Sequence, residues 1–168
     1  MNTQTILIVD DDENILKSIK RTLMDDNYSI LTATSGQEGL AKLRKNDVSL
    51  VVSDQKMPGM SGMEFLKKVK IDYPEILTMM LTAYADIETA IEAINEAGVY
   101  KFILKPWDDV DFRITIKRAL ESLQVIKERN SLMQKVKSHE SILKDLEKKY
   151  PGITRVERDE DGNVLSLD

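Results

Sequence analysis

Leu50-Val51-Val52-Ser53-Asp54-Gln55-Lys56-Met57-Pro58-Gly59 is the stretch that decides the fold. Its apolar, β-branched start reads as a short buried strand. The strand runs into an acid, and Pro58-Gly59 then turns the chain. A carboxylate at the C-terminal end of a buried strand lies where open α/β sheets place their ligands. Taken alone, Asp54 would equally serve as a turn cap, because Asp is common in that role. The flanking sequence decides between the two.

Working outward, four more strands alternate with helical patterns. Thr5–Val9 is a continuous apolar strand, followed at once by Asp10-Asp11-Asp12-Glu13. Ile15, Leu16, Ile19 and Leu23 then recur at helical spacing. Tyr28–Ala33 is a second strand, and Ser35 with Glu38 forms an expected capping box for the next helix. After the strand into Asp54, Ser61 is the expected cap of a third helix. Ile76–Leu81 reads as the fourth strand, ending in Thr82-Ala83. Asp86 is expected to cap a fourth helix, which Gly98 stops. Tyr100–Leu104 is the fifth strand, ending in Lys105-Pro106, with Asp108 or Asp109 capping the last helix. This alternation with short loops predicts an α/β domain, doubly wound around a mostly parallel sheet. Asp10, Asp11, Asp54, Thr82 and Lys105 then all fall at C-terminal strand ends, along one ligand-binding edge.

The chemistry of this set is coherent. Clustered carboxylates repel one another. Mg²⁺ removes that conflict and prefers oxygen ligands. The helix dipole accounts for Asp12 and Glu13 but not for acids already at the strand end. A threonine hydroxyl and a lysine suit a phosphoryl group, the one donating to an oxygen and the other offsetting charge. Asp54 is then the natural nucleophile, giving an acyl phosphate.

Ile8-Val9-Asp10-Asp11, Ser53-Asp54-Gln55-Lys56-Met57-Pro58-Gly59, Leu81-Thr82-Ala83 and Lys105-Pro106 together resemble the receiver domain of bacterial two-component response regulators. The resemblance covers residues 4–122. It implies a flavodoxin-like, five-stranded parallel sheet of strand order 2-1-3-4-5. It implies that Asp54 accepts a phosphoryl group from a sensor histidine kinase. Asp10, Asp11, Asp54 and the backbone carbonyl of Lys56 would hold Mg²⁺, Asp10 through water. Thr82 and Phe102 would carry the switch to the surface of helix 4, strand 5 and helix 5. Phe102 lacks the hydroxyl of the Tyr often found there. Such a protein catalyses only its own phosphorylation and dephosphorylation, and the motifs name no downstream partner.

Two rival readings belong to other classes. Asp10-Asp11-Asp12 after an apolar strand also fits haloacid-dehalogenase-like phosphatases, with Asp10 as nucleophile. That fold needs a later acidic pair at a further strand end, whereas Asp108-Asp109 directly follow Lys105-Pro106-Trp107. The other rival is a constitutive coiled-coil adaptor with a vestigial acid pocket, against which the intact set of five residues argues.

Composition narrows the field. With no Cys, thiolate metal sites and cysteine nucleophiles are excluded, and the single His139 excludes a multi-histidine site within one chain. No run approaches a membrane span and no signal-peptide pattern opens the chain, so a cytoplasmic location is expected. Residues 1–112 carry 12 basic and 19 acidic side chains, residues 113–149 carry 10 and 5, and residues 150–168 carry 2 and 5. The acidic body argues against nucleic-acid binding, and the basic segment reads as a solvated helix.

From Phe112 to Tyr150 there is neither Gly nor Pro. Ile116, Leu120, Leu123, Ile126, Asn130 and Met133 form one apolar-rich seam, and Leu132, Val136, His139, Leu143, Leu146 and Tyr150 a second. Residues 123–150 are therefore expected to form a dimerising two-stranded coiled coil, with Asn130 setting register and His139 an ordinary seam member. Residues 151–168 read as a small hairpin or an acidic tail. Lys56 and Tyr84, two positions after the nucleophile and the threonine, are expected to screen the phosphoryl group from water and prolong its lifetime.

Overall fold

The strands are apolar on both faces because each face has its own core. The computed structural model describes residues 3–153, the side chains of Tyr84 and Ala93 excepted. The strands are β1 (Gln4–Val9), β2 (Tyr28–Ala33), β3 (Leu50–Asp54), β4 (Leu77–Ala83) and β5 (Lys101–Lys105). The helices are α1 (Glu13–Thr22), α2 (Gly36–Leu43), α3 (Gly62–Asp72), α4 (Ile87–Ala97) and α5 (Asp109–Lys149). Successive strand residues point to opposite faces. Leu7, Val9, Val51 and Met80 accordingly join Leu43 of α2, Phe65, Leu66 and Val69 of α3 and Ala97 of α4 in one cluster. Ile6, Ile8, Leu50, Val52, Met79 and Leu81 join Leu16 and Ile19 of α1 and Phe112, Ile116 and Leu120 of α5 in the other. Each fully buried side chain of this size contributes about 1.5–3 kcal/mol.

All four strand pairs are parallel, in the order β2-β1-β3-β4-β5. The chain reverses its direction of winding between β1 and β3, and a crevice opens at their C-terminal ends. Register aligns the functional positions along that edge. Val9 faces Ser53, Asp54 faces Leu81, and Thr82 faces Leu104. β4 ends in Thr82 and Ala83, which pair with Leu104 and Lys105.

Two expected caps differ. Ser35 accepts from the Glu38 amide, but Glu38 returns to the amide and hydroxyl of Thr34 rather than to Ser35, so the box is only half made. Asp86 occupies the cap position of α4 without bonding an amide, since its carboxylate meets Lys56 Nζ at 2.9 Å. Elsewhere the caps are as read. Ser61 and Glu64 form a full capping box on α3. Asp108 accepts from the amides of Val110 and Asp111 at the start of α5. Gly98 ends α4 at φ 62°, where a side chain would be strained.

The chain divides into two units, one up to Leu123 and one from Gln124. In the second, α5 continues to Lys149, and every apolar side chain among its described residues is exposed. Most of the expected hairpin or tail, residues 154–168, lies outside the described residues.

Candidate functional site

Four strands deliver the site. The Asp10 amide donates to the Ala33 carbonyl at 3.1 Å, which ties the end of β1 to β2. The Asp10 carboxylate is 1% exposed, and both of its oxygens are engaged. Oδ1 accepts from the Asp12 amide at 2.9 Å and Oδ2 from Lys105 Nζ at 3.0 Å. The same Nζ lies 2.9 Å from Asp54 Oδ1, so one ammonium bridges the two acids. Trp107 packs on Phe112 with ring centroids 5.3 Å apart, fixing the chain that follows Lys105. The Lys105–Pro106 peptide is cis.

The floor beneath Asp54 is equally determined. The Gln55 amide donates to the Leu81 carbonyl at 3.0 Å, and the Gln55 carbonyl accepts from the Gly62 amide at 2.9 Å. A Cβ at Gly62 would lie 1.9 Å from the Asp54 carbonyl oxygen, so only glycine lets α3 begin this close to the acid.

Burial raises the Asp54 pKa, Lys105 pulls against that rise, and the Asp10 charge adds to it. Burial also works to lower the Lys105 ammonium, but its bonds to Asp54 and Asp10 outweigh this and raise it. Asp10, Asp11 and Asp54 offer carboxylate oxygens all within 4.8 Å of one another. Against one ammonium, these three carboxylates leave two negative charges uncompensated. A hard divalent cation that takes oxygen ligands fits this donor set, and Mg²⁺ is such an ion.

A sequence-family model described as the response regulator receiver domain matches residues 6–117. The chain belongs to the response regulator receiver family. The hydrogenase transcriptional regulatory protein HoxA of Cupriavidus necator is 41% identical over 118 residues, covering 70% of this chain and 24% of that protein. HoxA of Bradyrhizobium diazoefficiens is 30% identical over 164 residues, covering 98% of this chain and 34% of that protein. The chain thus spans a quarter to a third of these relatives. The crystal structure of a response regulator receiver domain protein from Clostridium thermocellum superposes with a TM-score of 0.69 at 34% identity, covering 73% of this chain and 98% of that one. Residues 6–117 are accordingly a response regulator receiver domain. Receivers bind Mg²⁺ at an acidic pocket and pair with sensor histidine kinases.

The receiver brings Asp10, Asp11, Asp54 and Lys105 together. Thr82 adjoins them, but its hydroxyl donates to Gln55 Oε1. Phe102 is partly buried against the cluster that holds Met80 and Val99. Lys56 is largely exposed, with its amine on Asp86. The side chain of Tyr84 is not among those described. Asp12 caps α1 through the Asn14 amide, so it is not turned toward Asp10 as the acid of a haloacid-dehalogenase-like site. The sequence does not mark Gln55 or Gly62 as site residues. Their partners are contacts made on folding, and a lone Gln or Gly beside a turn carries no such signal.

Proposed function

We propose that the Asp54 carboxylate attacks the phosphorus of a phosphohistidine on a sensor kinase. The P–N bond breaks, the histidine leaves with the electron pair, and an acyl phosphate forms on Asp54. The observation that carries this reading is the Lys105 ammonium shared between Asp54 and Asp10 beside a third carboxylate. Lys105 stays on the phosphoryl oxygens as charge gathers there, and Thr82 donates its hydroxyl to another. Asp10, Asp11, Asp54 and the Lys56 carbonyl would hold Mg²⁺, which when bound neutralises the remaining phosphoryl charge. The catalysis proposed is of the chain's own phosphorylation and of its dephosphorylation by water.

The output is a change of surface and a pairing of chains. Thr82 moving to the phosphoryl group leaves room that Phe102 can enter, reshaping α4, β5 and α5. Ile91 and Ile94 of α4, and Tyr100 just before β5, already expose apolar surface. Residues 123–150 form a two-stranded coiled coil with a second copy. Ile126, Met133, Val136, Leu143 and Leu146 are all exposed in the single chain, as a helix awaiting a partner requires. Asn130 and His139 complete that seam. Lys56 and Tyr84 slow hydrolysis, and Lys56→Asn with Tyr84→Glu speeds it by about tenfold for ~1.4 kcal/mol of barrier.

Labelling with acetyl phosphate, followed by intact mass across a Mg²⁺ titration, tests the metal-assisted reading. Labelling should require Mg²⁺, and Asp11→Ala should demand far more of it. Equal labelling in excess chelator would contradict the assignment of the carboxylates.

A further inference from the structure

The Thr82 hydroxyl has a single proton to donate. Its partner is Gln55 Oε1, with a longer approach to the Ala83 carbonyl at 3.4 Å. Both residues are buried, Gln55 at 7% and Thr82 at 1% exposure. The Gln55 backbone is held from two sides, by Leu81 of β4 and by Gly62 at the start of α3. Its amide is therefore presented to Thr82 from a fixed base. The next residue does something similar, since Lys56 holds Asp86 at the far end of the same β4–α4 junction. The two residues after the phosphoacceptor thus grip the segment whose threonine must turn.

We propose that Gln55 is a positioning residue that holds the Thr82 hydroxyl off the phosphoryl group and so sets how readily phosphorylation is coupled to the switch. This rests on the reading of Asp54 and Thr82 given above. The hydroxyl cannot serve Gln55 and a phosphoryl oxygen at once. When it turns to the phosphoryl group, the Gln55 carbonyl oxygen loses its donor in a buried place, which is unfavourable. The unphosphorylated arrangement is stabilised by that amount. The bond from Thr82 to the phosphoryl group must outweigh it. Removing the acceptor while keeping the volume removes the opposition and leaves Asp54, Lys105 and the acids untouched.

Beryllofluoride with Mg²⁺, standing in for the phosphoryl group on Asp54, provides the test by calorimetric titration of the full chain. Gln55→Met should bind it about tenfold more tightly than wild type, a difference of about 1.4 kcal/mol. Gln55→Asn, polar but too short to make the same contact, should tighten binding in the same sense and serves if the Met variant does not fold. In a Thr82→Ala background the Gln55 substitution should change affinity by less than about twofold, because the two residues act as a pair. A merely structural Gln55 would alter melting temperature without this dependence on Thr82. Unchanged or weaker binding by both Gln55 variants, or equal tightening without Thr82, overturns the proposal. Wild type binding no better than Asp54→Asn would instead overturn the reading of Asp54 as phosphoacceptor on which it rests.

Discussion

At the scale of single residues, charge is managed by pairing rather than by exposure. Lys105 is the clearest case, with one ammonium against two acids that burial would otherwise penalise. Glu38 shows the same physics at the surface, where its pKa is lowered from 4.5 to about 2 by the Lys42 side chain and then by the Thr34 amide. A folded-state pKa below the unfolded value means stability that is fully present above pH 4.5 and is lost as pH falls toward 2. Glu38→Gln should therefore lower urea stability at pH 7, by no more than about 1 kcal/mol because the pair is solvent-screened. The gap to wild type should narrow steadily below pH 4.5, and a gap independent of pH would refute the pairing. Asp10, Asp11, Asp54 and Lys105 were legible as a set, because each alone has an ordinary role at a turn or surface but all converge on one sheet edge. Gln55 was not, because its meaning depends on a threonine 27 residues away.

At the scale of elements, the junctions matter more than the helices and strands themselves. Periodicity reads the elements well, since an apolar strand with two cores needs both faces filled. It reads their ends less well. β4 extends through Thr82 and Ala83, where β5 supplies backbone partners. Asp86 has the composition of a cap, yet a 3₁₀ turn at Tyr84–Asp86 leads its carboxylate to Lys56. The junction between β3 and α3 is the least tolerant. Gly62→Ala sets a methyl 1.9 Å from the Asp54 carbonyl, so backbone must shift. The expected loss of stability is about 3 kcal/mol, the upper end for overpacked sites. Chemical denaturation measures it, and an alanine variant as stable as wild type would show that this approach is not tight in solution.

At the scale of the whole molecule, the strand order carries the function. Order β2-β1-β3-β4-β5 opens the crevice between β1 and β3, where Asp10 and Asp54 lie. Alternation of strands and helices made the doubly wound class legible, whereas the order itself came from the motifs. The second unit was legible as a long helix from its lack of Gly and Pro, and α5 runs 41 residues. The pairing proposed for it would be a property of two chains, which a single sequence indicates only through its exposed seam. Leu143→Asp with Leu146→Asp should leave a folded monomer by light scattering, while wild type at tens of micromolar should be a dimer. A monomeric wild type would dispose of the seam. The position that takes the phosphoryl group decides whether Asp54 is the nucleophile. Protein labelled with acetyl phosphate and Mg²⁺, reduced with borohydride to fix the acyl phosphate, digested and sequenced by mass, should carry the mark at Asp54 and lose it in Asp54→Asn. A mark at Asp10, or equal labelling of Asp54→Asn, would contradict that role.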